Sequence, residues 1–285
     1  MTWRIYRMPY VEATIGRPSR PQGMLSFFKQ QRRKRLRSQP VPDDWIGMVR
    51  QYVRFFDRLS AGDRNELLAH VRVFLSEKRF EGCAGLELTD DISLTIAAQA
   101  CLLLLHRKTD YFPRLVTILV YPSAYLAKEE RPIDQNIWEE GTVSRLGETG
   151  RQLGSMVLAW DAAKAGATDP SDGRNVVFHE FAHQLDFENY AADGVPGLAT
   201  RDQQRSWGAV MRVEFASLRA ADETGIPTLL DNYGATSPAE FFAVATEAFF
   251  ERPVALRHRH PRLYAEFARY FQQDPTQYSA ELAAR

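Results

Sequence analysis

Cysteine is scarce in this chain of 285 residues, which contains only Cys83 and Cys101. Two cysteines this far apart form neither a CxxC metal pair nor a framework of several disulfides. This usage fits a protein of a reducing compartment. Cys101 lies in an apolar segment, and we expect it to be a buried core thiol.

Long hydrophobic runs and an excess of one charge are also missing. The longest apolar stretch, Ile92 to Leu105, contains Ser93, Thr95 and Gln99. It is shorter than the roughly 18 residues that a membrane span needs, so a buried helix is expected. The chain starts without the apolar core of a secretory signal. Its 36 basic and 36 acidic side chains cancel, so the bulk charge indicates no polyanionic partner. We therefore expect a cytoplasmic protein without a membrane partner.

Residues 1–42 differ from the rest of the chain. They contain five of the fifteen prolines and a basic run, Lys29–Arg37. We interpret this segment as a solvated, partly flexible tail. The alternative is a surface for nucleic acid or another acidic partner. Few aromatic residues interleave with the charges, so a nucleic-acid partner is not expected.

Helical and strand patterns alternate in the remaining sequence. Strands are predicted at Leu115–Tyr121 and Ser155–Trp160, which are rich in apolar residues. The segments 127–150 and Lys164–Arg174 show no clear period and are predicted as loops, with one weak strand near Thr142–Leu146. Apolar residues at three- and four-residue spacing predict helices at 43–56, 63–75, 92–105, 175–187, 204–221, 237–250 and 261–273.

Helices, then a few strands, then further helices are typical of an α+β fold. After the tail 1–42 we expect one domain, 43–285. It consists of a helical N-terminal part, 43–110, and a core that carries the chemistry, 111–285.

The most informative segment is Val176–Leu185, which reads VVFHEFAHQL. Residues four apart lie on one face of a helix, so His179 and His183 can converge on one metal ion. Glu180 lies beside the first histidine, where it can act as general base toward a water molecule that zinc makes acidic. The pattern therefore predicts a zinc-dependent peptidase with one Zn²⁺ per chain. The alternative is a pair of solvent-facing histidines on an ordinary amphipathic helix.

The strand before this helix adds a second indication. In zinc peptidases of this class such a strand lies along the cleft and pairs with an extended substrate, as an edge strand does. Residues 156–160 are expected to take that place.

A catalytic zinc site needs a third protein ligand and one open position. Asn189 stands where metzincins have their third histidine. The helix predicted at 237–250 offers Glu240 and Glu247, which are nearly two turns apart and so share a face. Ser237–Glu240 also forms a capping-box pattern. Local chemistry therefore leaves Glu240 as either helix cap or ligand, and Glu247 as either a supporting partner or a second candidate ligand.

Several segments together carry a resemblance to a known family. They are His179–Asp186 (HEFAHQLD), Gly194–Pro196, Tyr233, Ser237–Val244 (SPAEFFAV) and Tyr270–Pro275 (YFQQDP). As a set they resemble the Mlc titration factor A family of zinc peptidases, over roughly residues 45–278.

The resemblance implies more than the spacing does. It implies that Glu240 is the third zinc ligand and that Tyr233 donates to the developing oxyanion. It also implies that Asp186 orients a ligand histidine or a helix end. The expected fold is a zincin-like catalytic domain similar to that of anthrax lethal factor. Members of the family resemble aminopeptidases of the bacterial cytoplasm, and some bind the glucose-responsive repressor Mlc.

Two functions are therefore expected. The first is hydrolysis of a peptide or protein substrate, with a zinc-activated water and Glu180 as general base. The second is a non-catalytic role, in which the protein sequesters an Mlc-like transcriptional repressor. The two roles can coexist in one protein.

Overall fold

The computed structural model describes residues 22–123, 125–134, 137–145, 147–150, 154–169, 172–189 and 191–278. Helices dominate this part of the chain, and the strands form one four-stranded sheet and one separate pair. This architecture is consistent with the α+β class that the sequence predicts. None of the described helices combines the length and the apolar character that a membrane span requires.

The described part of the chain contains ten α-helices and six strands. The helices are α1 Gln22–Arg37, α2 Asp43–Tyr52, α3 Ala61–Glu77, α4 Asp90–Leu102, α5 Trp160–Thr168, α6 Val176–Asp186, α7 Arg201–Thr224, α8 Pro238–Glu251, α9 Pro253–Arg259 and α10 Pro261–Phe271. The strands are β1 Arg79–Gly82, β2 Thr117–Tyr121, β3 Tyr125–Asp134, β4 Ile137–Arg145, β5 Gly147–Gly150 and β6 Ser155–Ala159.

The four-stranded sheet has the order β1-β2-β6-β5. The first three strands are parallel, and β5 runs antiparallel to β6. The strand that we expected along the cleft, β6, is therefore not an edge strand, because β2 and β5 pair with it on its two sides. Among the described strands the two edges of this sheet are β1 and β5, and β5 contacts α6.

One face of the sheet is buried by helices. Ile118 and Val120 of β2 and Met156 and Leu158 of β6 are fully buried, and their neighbours along β2 and on most of β6 are only partly buried. This alternation is the pattern of a strand with one core face. The apolar segment that the sequence assigns to a buried helix is α4, whose residues from Leu94 onward are all buried, including Cys101.

Two segments predicted as loops are regular structure instead. Within 127–150, β3 pairs with β4 and β5 joins the sheet; Leu146 lies outside the described residues. This hairpin sequence is rich in charges and lacks the apolar run that marks a core strand. Residues Trp160–Thr168 form α5. Position 166 of this helix leaves no room for a side chain, since a Cβ on Gly166 would lie 2.9 Å from the Asn175 side chain.

Residues 22–37, which lie in the predicted tail, form α1. Residues 1–21 lie outside the described part of the chain. Arg33 of α1 is 3% exposed. It donates to both carboxylate oxygens of Glu77, at 2.8 Å each, and to Asp110 Oδ1 at 2.5 Å. These bonds attach α1 to the end of α3. The domain boundary at 42/43 stays a prediction.

The pKa of Glu77 reflects this ion pair. Burial alone would raise the pKa, but the hydrogen bond and the charge of Arg33 outweigh burial and lower it. Glu77 therefore stays ionised as a partner for the guanidinium group. A charge-assisted bidentate pair of this kind has a fixed geometry, which holds α1 in one orientation on α3.

We predict that Arg33→Ala destabilises the protein by about 2–4 kcal/mol, because it leaves the Glu77 carboxylate partly buried without its partner. Urea unfolding at neutral pH measures the change. The matched control is Arg35→Ala, which removes an exposed arginine from the same helix. Equal stability of the two variants would show that the ion pair does not hold α1 in place.

Candidate metal centre

Helix α6 is fixed at its start and along one side. Asn175 is its N-cap, with Oδ1 accepting from the backbone N–H of Phe178 at 3.0 Å. Phe181 is fully buried, and its ring lies 5.7 Å from that of Phe74 and 4.7 Å from that of Phe112, measured between centroids. The HExxH helix is thus anchored in the core by its apolar face, which leaves the opposite face for polar side chains.

Helix α8 begins with a proline and a serine cap. Ser237 Oγ accepts from the backbone N–H of Glu240 at 3.2 Å, and Pro238 occupies the first turn. Every residue from Phe241 to Glu251 is buried. Only the backbone N–H of Glu240 takes part in this cap; its side chain contacts the histidines of α6 through Oε2.

The structure brings His179, His183 and Glu240 together. Glu240 Oε2 lies 2.9 Å from His179 Nε2 and 3.3 Å from His183 Nε2. One ligand atom from each of the three residues falls within a group no wider than 4.8 Å. Glu180 lies on the same helix and is 5% exposed. Two imidazoles and one carboxylate are the donor set of a common type of catalytic zinc site.

The electrostatics of this group favour a positive charge. Burial alone would lower the pKa of His179, but its hydrogen bonds to Glu240 and Glu247 raise that pKa to about 10. Burial would raise the pKa of Glu240, yet its hydrogen bonds to His179 and His183 lower it to about 2. Both shifts have the same cause, since a cation between the carboxylates is stabilised. A divalent metal ion fits the same surroundings.

Glu247 contacts the other nitrogen of His179. Its Oε1 lies 2.7 Å from Nδ1, and its Oε2 accepts from the backbone N–H of Asn175 at 2.6 Å. A hydrogen bond from Nδ1 to Glu247 leaves the lone pair of Nε2 free for a metal ion and fixes the orientation of the ring. Of the two roles left open for Glu247, this geometry matches the supporting partner.

Asn175 connects the site to the core, a role that its neighbours in the sequence do not indicate. Its Nδ2 donates to Gln99 Oε1 at 2.8 Å and to Glu251 Oε1 at 3.0 Å. Gln99 in turn donates to the backbone oxygen of Ala163 at 3.1 Å. The network therefore joins α4, α5, α6 and α8. The position of an asparagine before an apolar helical run is a signal for the cap, but nothing local indicates the remaining bonds.

The carboxylate of Asp186 hydrogen-bonds to a loop, and no hydrogen bond joins it to a histidine among the described residues. It is fully buried, and its Oδ2 accepts from the backbone N–H of Gly194 at 3.0 Å. Gly194 has φ +75°, and a Cβ there would lie 2.3 Å from the backbone oxygen of Pro238. Trp207 Nε1 donates to the Gly194 carbonyl at 3.0 Å. The resulting chain of contacts runs from the end of α6 to the start of α8, which carries Glu240.

Tyr233 lies at the edge of the site. Its ring centroid is 5.9 Å from that of His179, and the residue is 55% exposed. It belongs to a short 3-10 helix, Asn232–Ala235, in which Asp231 Oδ1 accepts from the Tyr233 N–H at 2.9 Å. The opening of the site on this side is therefore lined by an aromatic ring with a hydroxyl group.

Comparisons with known proteins identify a family and several relatives of this chain. A family model described as glucose-regulated metallo-peptidase M90 matches residues 28–272. An uncharacterised protein of Synechocystis sp. is 40% identical over 244 residues, which cover 86% of this chain and 89% of the relative. The Mlc titration factor A of Salmonella arizonae is 29% identical over 239 residues, covering 82% and 93%. That of Salmonella typhi is 29% identical over 240 residues, covering 82% and 88%.

A helix with the HExxH pattern that faces a glutamate of a second helix defines a metallopeptidase-like protein. More particularly, the chain belongs to the M90 family of metallopeptidases, since the family model matches most of its length. The resemblance to the Mlc titration factor A family is confirmed. The match starts at residue 28, within α1 and before residue 45, where we placed the start of the likeness.

We predict that Glu247→Gln weakens zinc binding by about 10–100-fold, because its amide has one acceptor oxygen for two donors, His179 Nδ1–H and the Asn175 N–H, and carries no charge. Glu240→Gln should weaken zinc binding more, since it replaces the anionic carboxylate of the candidate ligand with a neutral amide. Competition with a chromogenic chelator measures both affinities. The control is Glu223→Gln on the exposed side of α7. If Glu240→Gln binds zinc as tightly as that control, Glu240 is not a ligand.

A second prediction concerns Glu251, whose Oε2 is buried without a partner among the described residues. Burial raises the pKa of Glu251 to about 9. Between its ordinary pKa and 9 the unfolded chain has lost this proton and the folded chain keeps it, so stability falls as the pH rises through that window.

Glu251→Gln removes this titration and keeps an acceptor for Asn175. We expect the variant to match the wild type near pH 5 and to be more stable by roughly 1–4 kcal/mol at pH 8. Urea unfolding of both proteins across one buffer series measures the difference. A difference independent of pH would contradict a raised pKa at this carboxyl.

Proposed function

We propose that this protein is a zinc-dependent peptidase whose catalytic domain is zincin-like. Zinc would be held by His179, His183 and Glu240, and Glu180 is the general base. The observation that carries the proposal is the convergence of two imidazole nitrogens and one carboxylate oxygen within 4.8 Å. The family membership supports the same reading.

The chemistry divides between the ion and the side chains around it. When bound, zinc supplies a Lewis acid that polarises a carbonyl group and makes a water molecule acidic. Glu180 accepts the proton of the attacking water and passes it to the leaving amine. Tyr233 donates a hydrogen bond to the negatively charged oxygen that develops from the carbonyl group as water adds to its carbon. Glu247 keeps the His179 ring in place during these steps.

The sheet supports an extended peptide as substrate. β5 is the edge strand next to α6, and its free side has no partner among the described strands. A peptide in extended conformation can pair with such an edge through main-chain hydrogen bonds. We propose an aminopeptidase-like specificity within this class, on the family resemblance.

A second function is favoured by the names of the relatives. Two of them are Mlc titration factor A proteins, which points to binding of a transcriptional repressor. We propose that the chain binds an Mlc-like repressor through a surface separate from the catalytic groups. Binding would then not require Glu180.

We predict that Glu180→Gln retains zinc and lowers turnover of short chromogenic peptides by about 10²–10⁴-fold, because the proton acceptor is lost. Turnover is compared with the wild type at equal, measured zinc content. Glu223→Gln is the matched control and should keep full turnover. Undiminished turnover by clean Glu180→Gln protein would remove this residue from the mechanism.

The same variant separates the two functions. If Glu180→Gln still binds the repressor in a pull-down and by calorimetry, binding is independent of catalysis. If neither the wild type nor the variant binds it, the second function fails while the first stands.

A further inference from the structure

A second concave site lies between α1, α3 and the segment that follows α4. Its volume is about 570 Å³, which is within the usual range for small-molecule pockets. None of the residues that line it belongs to the candidate metal centre. The two walls are held together by the Arg33 ion pairs with Glu77 and Asp110, so the cavity has a fixed frame.

The lining of this cavity is strongly basic. Besides Arg33 it includes Lys34 and Arg37 of α1, together with Arg107 and Lys108 after α4. Glu66 is the one carboxylate among its lining residues. The neutral overall charge of the chain therefore hides a local excess of positive charge.

Most of these cations are not neutralised by neighbours. Within the described residues, the side chains of Lys34, Arg37 and Lys108 form no ion pair or hydrogen bond. The Arg107 guanidinium lies 4.1 Å from the centre of the Tyr270 ring. This cation–π contact fixes the position of the guanidinium group but does not neutralise its positive charge. Like charges gathered in one cavity repel each other, and a bound anion relieves that repulsion.

The single carboxylate, Glu66, offsets only one of the five positive charges of the cavity. Glu66 Oε1 lies 3.2 Å from His70 Nε2 and accepts from the backbone N–H of His106 at 3.1 Å. His70 is 1% exposed and also contacts the Tyr111 hydroxyl at 2.8 Å. The Glu66 carboxylate is thus held by hydrogen bonds to residues of the cavity wall.

We propose that this pocket binds a phosphate-bearing small molecule. Arginine and lysine are the side chains that proteins use for phosphate groups, arginine in a planar fork and lysine as a compact charge. Gln30, Asn65 and Thr109 also line the cavity and can hydrogen-bond the uncharged part of such a ligand. A concave pocket of this size suits a small molecule better than a nucleic-acid duplex, which needs a wide surface.

The test is calorimetric titration of the full, zinc-loaded chain with inorganic phosphate and with pyrophosphate, at constant ionic strength in chloride. We expect saturable binding at one site. The double variant Lys34→Ala/Arg37→Ala should weaken that binding by about tenfold or more, because two charge-assisted contacts are lost. Both side chains are exposed, so the variant should fold normally, which thermal melting checks.

The control is Arg35→Ala/Arg58→Ala, which removes the same charge from exposed positions outside the cavity. It should bind phosphate as the wild type does. Equal binding by both double variants would place the phosphate elsewhere, for example at the zinc ion, and would overturn the proposal. So would the absence of any binding.

Two further probes identify the source of the phosphate group. A single-stranded oligonucleotide is followed by fluorescence anisotropy and phosphatidylglycerol vesicles by co-sedimentation. If only one of these binds, and phosphate and pyrophosphate do not, the basic residues form a macromolecular surface and the proposal is wrong. The proposal is supported if Lys34→Ala/Arg37→Ala loses pyrophosphate binding and Arg35→Ala/Arg58→Ala keeps it.

Discussion

The imidazole of His179 is held between two carboxylates of one helix, and the candidate site depends on this contact. Glu240 contacts Nε2 and Glu247 contacts Nδ1, and both residues come from α8. The two glutamates are nearly two helical turns apart, which leaves room for the imidazole ring between their carboxylates. A small rotation or shift of α8 would displace both carboxylates at once. The packing of α6 against α8 is therefore the constraint that the surrounding core must satisfy.

The rest of the structure meets this constraint with buried polar contacts at two places. At the start of α6, Asn175 caps the helix and also binds Glu247 through its backbone. At the end of α6, Asp186 holds Gly194, whose missing side chain lets the loop lie against Pro238 at the start of α8. Buried hydrogen bonds have strict geometry, so they fix a register that apolar packing alone would leave loose.

The sequence predicts the α+β class, the zinc-peptidase pattern and the family, because each depends on local spacing or on a set of short motifs. Spacing alone does not choose between Glu240 and Glu247, since it shows that both share a face but not which nitrogen each one meets; only the family resemblance points to Glu240. The Asn175 network links residues far apart in the chain and leaves no local signal. Helix α5 was missed because its glycine is a packing residue. The hairpin of β3 and β4 was not predicted as a whole, because its charged sequence lacks the apolar run that marks a strand.

The three candidate ligands also join two distant segments of the chain. His179 and Glu240 are 61 positions apart, and α7 lies between them. An ion bound to both closes this stretch into a loop, as a disulfide would, and restricts the unfolded chain accordingly. Both cysteines of this chain are free thiols, so no disulfide cross-links it. A bound metal ion would supply the cross-link instead. Loss of the ion would loosen α8 and every surface that rests on it, whether or not that surface takes part in catalysis.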